Sequence, residues 1–207
     1  GQGDLVAIFD YGGSPASYLA SSVYIPYLTQ GAADGLGCTT IANDGLPEMA
    51  SRATDILRYT RPRAMFIRSD CVHPFLEEAR RLEVEVKRHL QMLVVEANEQ
   101  IFPEASRQDA EARLGIPILR MLRVDMAMFL AQECPSCRCF HFPRGLYQVE
   151  VVDEYQHRPV PAGERGKLVV TNLFARTSPA IRYLSDALVA LETGECPRTP
   201  GDGRFRA

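Results

Sequence analysis

The stretch ECPSCRCFHF, residues 133–142, places Cys134, Cys137, Cys139 and His141 within eight positions. A further thiol, Cys196, follows far along the chain in GECP. Thiolates and imidazoles drawn from two short segments are the donors of a structural Zn²⁺, which takes four of them in a tetrahedron and keeps no position open for chemistry. Two other readings compete. One is a redox pair, although Cys-x-Cys is too tight for an unstrained disulfide. The other is plain burial, because free cysteine behaves as a small hydrophobe. His73 in CVHPF, His89 in KRHL and His157 in YQHRPVP read as packed or surface residues, and Cys38 and Cys71 as small core residues.

Composition limits what such a cluster serves. Six cysteines in 207 residues could form three disulfides, but half of them are clustered. The opening GQGDLVAIFDY lacks the basic start and cleavage site of a signal peptide. A reducing, cytoplasmic compartment is therefore expected. A net charge of −3 with four scattered histidines gives no basic footprint for nucleic acid. No apolar run approaches the roughly 20 residues of a membrane span.

The elements that would position these residues follow from periodicity. SPASYLASSVYIPYLTQ (14–30) predicts a helix with Ser14 as N-cap and Pro15 in its first turn. From residue 35 strands and helices alternate: strand GLGCTTIA, helix over 43–60, strand RAMFIRS, helix over 69–84, strand LQMLVVEAN, helix over 102–116 and strand PILRMLRV. That order predicts right-handed βαβ crossovers and a mostly parallel sheet, with ligands beyond the strand ends IAND, IRSD, VEANEQ and LRVD. After residue 140, LYQVEVVDE, GKLVVTNLF, AIRYLS and ALVALE succeed one another without helices, so a small antiparallel sheet or half-barrel is expected. The expected fold is α/β, with a parallel lobe over 1–133 and an antiparallel lobe over 134–207. The tail TGECPRTPGDGRFRA, rich in Gly and Pro, reads as loose or extended.

Four segments carry a resemblance: DYGGSPASYLASS, GLGCTTIANDGLPEMASRATDILRYTRPRAMFIRS, ECPSCRCFHFPRGLYQVEVVDE and GERGKLVVTNLFARTSPAIRYLSDALVALETGECP. In this order they resemble the phenylacetate–CoA ligase branch of the adenylate-forming enzymes. The resemblance implies the large N-terminal domain of that class, and activation of an aromatic acid by ATP and Mg²⁺ before transfer to CoA. It assigns Phe9, Tyr11, Gly12 and Gly13 to an acyl pocket. It assigns Asn98 and Glu99 to adenine, Asp125 to the place of a Mg²⁺-directed glutamate, and Asp186 to ribose. Read from residues alone, Asp125 is equally a strand terminator, and Tyr18, Tyr24 and Tyr27 form a core stripe on a helix. Relatives in this branch carry zinc on a Cys and a His seven apart plus a later Cys-x-Cys. The set implied here is Cys134, His141, Cys196 and one of Cys137 or Cys139, with Arg198 standing where the second late cysteine would be.

The departures shape the functional expectation. The family's Ser/Thr/Gly-rich phosphate loop has no counterpart in this sequence; YGGSP and GAADGLG read as turns and helix entry. The C-terminal domain with the catalytic lysine is not present either. Autonomous use of ATP and Mg²⁺ is therefore not expected. The expected role is an accessory or acyl-CoA-binding subunit, with structural Zn²⁺, an aromatic acyl-CoA ligand, and another protein subunit or a second copy as partner. The alternative is a divergent aromatic acid–CoA ligase completed by a partner chain.

Overall fold

The computed structural model describes residues 2–11, 14 and 32–207. The helix expected over 14–30 lies outside those residues, apart from Ser14. Two compact units divide the chain, Gly1–Arg120 and Met121–Ala207.

The first unit begins with four parallel strands: β1 Leu5–Phe9, β2 Thr39–Asn43, β3 Ala64–Ile67 and β4 Met92–Glu96. Their order is β2-β1-β3-β4, with Leu5 opposite Thr39, Val6 opposite Ala64 and Ala64 opposite Met92. Inner-strand runs such as VAIF, AMFI and LVV are apolar on both faces, as strands covered on both sides must be. The crossovers are helices: α1 Ala50–Thr60, α2 Ser69–Arg81 and α3 Glu104–Leu114. Each has a physical terminus. Helix α1 stops where Arg61 turns left-handed (φ 49°) before Pro62, its N–H closing on the Leu57 carbonyl. Helix α2 carries Asp70 in its first turn and Arg80 and Arg81 in its last, matching the helix dipole. Helix α3 ends at Gly115 (φ 66°), where glycine takes the left-handed cap without strain. Phe75, Leu57, Ile67, Leu93, Phe102 and Ile118 are among the core residues packed between sheet and helices.

Helix α3 has little apolar surface and is held ionically. Buried Arg107 reaches Glu104, Glu111 at 2.8 Å and the Ile118 carbonyl at 3.3 Å. Glu111 Oε1 in turn accepts the Ile118 N–H at 2.7 Å. A buried guanidinium persists only when its donors find such partners.

From β5 Ile118–Val124 onward every pairing is antiparallel. The strands are β6 Phe129–Glu133, β7 Phe140–Phe142, β8 Tyr147–Val152, β9 Arg165–Asn172, β10 Tyr183–Leu191 and β11 Gly203–Arg206, in the order β5-β6-β7-β11-β10-β9-β8. The antiparallel region thus starts before residue 134, because a tight turn at 125–128 folds β6 back on β5. That turn is pinned by two side chains: Tyr147 donates its hydroxyl to the Met128 carbonyl (2.7 Å), and Asn172 donates Nδ2 to the Ala127 carbonyl (2.9 Å).

The tail differs from expectation. Residues 203–206 form β11, between β7 and β10, because Phe205 stacks on Phe140 (5.6 Å between centroids), Phe142 and Phe129. Gly203 permits this: a Cβ there would lie 2.0 Å from the Phe142 ring. Likewise AIRYLS and ALVALE are one strand, β10, interrupted by an irregularity between Leu184 and Leu188.

Candidate metal centre and substrate-edge residues

The cysteine segment sits where β6 gives way to β7. Cys134 donates its N–H to the Cys139 carbonyl (2.8 Å), and Arg138, left-handed at φ 56°, donates to the Cys134 carbonyl (2.9 Å). This closed turn brings Cys137 back over Cys134. His141 stands on β7. Cys196 comes from the tail, where its carbonyl accepts the Thr199 N–H at 3.2 Å.

The ligand atoms of Cys134, Cys137, His141 and Cys196 all lie within 4.8 Å of one another. Cys134 Sγ is 3.9 Å from Cys196 Sγ, and Cys137 Sγ is 3.1 Å from His141 Nε2. Two thiolates on one tetrahedral Zn²⁺ stand about 3.8 Å apart, given Zn–S bonds of about 2.3 Å, so the donor set fits that ion. A disulfide needs about 2.05 Å between sulfurs, and no disulfide joins any of the six cysteines. His141 Nδ1 is hydrogen-bonded to Thr199 Oγ1, the outer contact that fixes a ligating imidazole.

The local electrostatics suit a metal. Burial pushes the Cys134 thiol up, but the backbone N–H groups of Cys137 and Ser136 and the thiols of Cys137 and Cys196 outweigh it and hold the group below its ordinary value. Burial lowers His141, with Asp202 opposing and Arg204 adding to the effect, which favours the neutral imidazole a metal needs. Of the two cysteines left open by the sequence, geometry brings in Cys137. Cys139 lies outside the group, its Sγ directed to the Cys137 carbonyl at 3.5 Å. Thr199 and the Ser136 N–H carried no sequence signal, and the sequence left Cys137 and Cys139 equally open.

The residues assigned to nucleotide are distributed otherwise. Asn98 and Glu99 follow β4 in the first unit; Asp125 and Asp186 belong to the second. Asn98 Oδ1 accepts the N–H groups of Gln100 (3.1 Å) and Ile101 (3.2 Å), an Asx turn. Glu99 pairs with Arg120 at 2.5 Å and accepts the Glu104 N–H at 3.3 Å, which caps α3. Asp125 opens the turn after β5 and lies 3.6 Å from Arg123 Nε. Asp186 is fully exposed on β10, 3.8 Å from Lys167 Nζ. Of the acyl-pocket residues, Phe9 is buried in the core, Tyr11 is partly exposed, and Gly12 and Gly13 lie outside the described residues.

At the carboxyl edge of the parallel strands there is a polar group that sequence reasoning did not single out. Asp10 after β1 and Ser69 after β3 are both buried, and Ser69 Oγ donates to Glu96 Oε2 at 3.3 Å. Beside them Arg68 forks onto Asp70 (2.6 and 3.0 Å). Burial, reinforced by the Asp70 carboxylate, pushes the Cys71 thiol up to about 12, so it is no nucleophile.

No protein-family model matches the sequence, and no curated protein does. Solved structures do. A 2-hydroxyisobutyryl-CoA ligase in complex with 2-HIB-AMP and CoA, in its thioesterification state, superposes with a TM-score of 0.80 at 22% identity, over 98% of this chain and 42% of the ligase. An anthranilate CoA ligase with anthranoyl-AMP gives 0.60 at 11%, over 99% and 39%. ATP-bound MatB from Rhodopseudomonas palustris gives 0.57 at 12%, over 99% and 40%. Over the length compared the chain therefore shares the fold of these structures, parallel strands first and antiparallel strands after. Two of these neighbours are CoA ligases by name, and the chain spans less than half of the length of each of the three.

Proposed function

We propose that this chain is an acyl-CoA ligase-related protein that binds the CoA thioester of an aromatic acid, does not itself activate the acid with ATP, and works beside another chain or a second copy. One observation carries the reading: each residue assigned to nucleotide or Mg²⁺ already has a local structural partner or stands in open water. Adenylyl transfer relies on preorganised charge. A carboxylate neutralised by Arg120 or Arg123 is a weak Mg²⁺ ligand, and at Asp186 the high dielectric of water weakens any field. The retained ligase scaffold, and the CoA held by the 2-hydroxyisobutyryl-CoA ligase, support CoA as the handle.

The Cys₃His cluster is assigned to structural Zn²⁺, held by Cys134, Cys137, His141 and Cys196. The ion would supply a crosslink between the β6–β7 turn and the tail. It leaves no open coordination position.

The test is ATP–pyrophosphate exchange with a panel of aromatic acids, alongside calorimetric titration with an aromatic acyl-CoA. Expected are no exchange, no thermal shift with millimolar ATP, and saturable acyl-CoA binding. Exchange by the chain alone would overturn the reading. Exchange that appears only with a co-purifying partner would favour the second reading, a ligase completed in trans, which the adenylate-bearing ligase neighbours support.

A further inference from the structure

At the amino edge of the parallel strands, the end opposite Asp10, Ser69 and Glu96, the first unit has a pocket of about 490 Å³. Its walls are the lead into β1 (Gly3–Leu5), the link from α1 to β3 (Thr60–Arg63) and the lead into β4 (Lys87–Gln91). Arg61, Arg63, Lys87 and Arg88 line it against a single carboxylate, Asp4. On a chain of net charge −3 this is a local reversal of sign.

Two of the four cations are committed: Arg63 to Asp4 at 3.3 Å, and Arg88 to Glu85 at 2.5 Å. Arg61 and Lys87 have no carboxylate partner among the described residues. Helix α1 points its last carbonyls toward this edge, a partial charge of roughly −0.5, too small to offset the excess of lining cations. His89 also lines the pocket, and its Nδ1 is shielded from water without a hydrogen-bond partner among the described residues. Such orphaned atoms are rare, and an unplaced water or ion is one of the usual reasons for them. The volume falls in the usual range of small-molecule sites, roughly 300–1,000 Å³.

We propose that this pocket binds a multiply charged phosphate, either free pyrophosphate or the diphosphate of a nucleotide. A diphosphate offers enough charge and acceptor oxygens to engage Arg61 and Lys87 together, as a single carboxylate does not. The site is separate from the strand ends where an acyl-CoA would lie, so it stands or falls independently of the reading above.

Inorganic pyrophosphate and ADP are titrated separately into the chain at low salt, with backbone amide resonances as the readout. Expected are saturable shifts confined to residues 3–5, 60–63 and 87–91. The double variant Arg61→Gln/Lys87→Gln should weaken binding at least tenfold, while Arg176→Gln, in the other unit, leaves it unchanged. Equal affinity for both probes identifies the free ion as the ligand, and tighter ADP binding identifies a nucleotide. Shifts mapping elsewhere in the wild-type chain, no saturation with either probe, or equal weakening by Arg176→Gln would overturn the proposal.

Discussion

Around Cys134 the side chains able to hold a ligand have mainly one another for company; around Glu99 each is matched to an opposite charge or a backbone N–H. Both regions present donors at the end of a strand. In the first, a Cys-x-x-Cys turn, His141 on β7 and a tail residue converge four donors on one point, with Thr199 behind the imidazole. In the second, Arg107 and Arg120 spread the carboxylates of Glu99, Glu104 and Glu111 into a clasp that fastens α3. Donors that converge make a site that a cation fits. Carboxylates already neutralised serve as structure.

The contrast can be broken most decisively at the cluster. Cys134→Ser or Cys196→Ser should take bound zinc, by elemental analysis, from about one per chain to near none. The cooperative melting of the second unit should be lost with it, since structural zinc is worth on the order of 10 kcal/mol in small domains. Cys139→Ser should keep the metal, and an equal loss there would erase the distinction between the two thiols.

Next in size is the clasp. Arg107→Ala should lower stability in urea by about 3 kcal/mol, because it strips a buried charge network of its centre. The same variant has a pH signature. Hydrogen bonding to Arg107, against an opposing effect of burial, holds Glu104 at about 2 from an ordinary 4.5. A depressed carboxyl stabilises the fold at pH values above 4.5, and that contribution fades as pH falls toward 2. In Arg107→Ala this acid limb should flatten; an unchanged limb would detach Glu104 from the clasp.

Asn98→Ala should cost about 1 kcal/mol through its two turn hydrogen bonds. Asp186→Asn, at an exposed site, should change stability by less than about 0.5 kcal/mol. If instead Asp186→Asn abolished a measurable affinity for ATP, the carboxylates would have to be read as a ligand site after all.

Much of this architecture is visible in short-range pattern. Runs such as AMFI and LVV, each followed by a helix with charged ends, declare a parallel sheet because burial on both faces leaves no room for polar alternation. Strand β11 was hidden because GRFR is too short to show a period, and its place depends on Phe205 meeting rings from residues 129, 140 and 142. The merging of AIRYLS with ALVALE into β10 was equally a matter of pairing with β9. At the cluster the ligand types were legible, since cysteine and histidine announce their chemistry. The choice of Cys137, the outer contact from Thr199 and the buried pair Ser69–Glu96 required knowing which segments meet. Carboxylates are the least legible of all: Glu99 looks the same in a sequence whether it awaits Mg²⁺ or rests against Arg120.

Cys134, Cys137 and His141 precede the β8–β10 meander and Cys196 follows it, so an ion held there would act as a drawstring around three strands. Tightening it removes freedom from the unravelled chain over a span of more than fifty residues, a gain that grows only with the logarithm of that span. A protease nick in the exposed turn near Tyr155 would then leave two fragments that stay knotted until a chelator unties them.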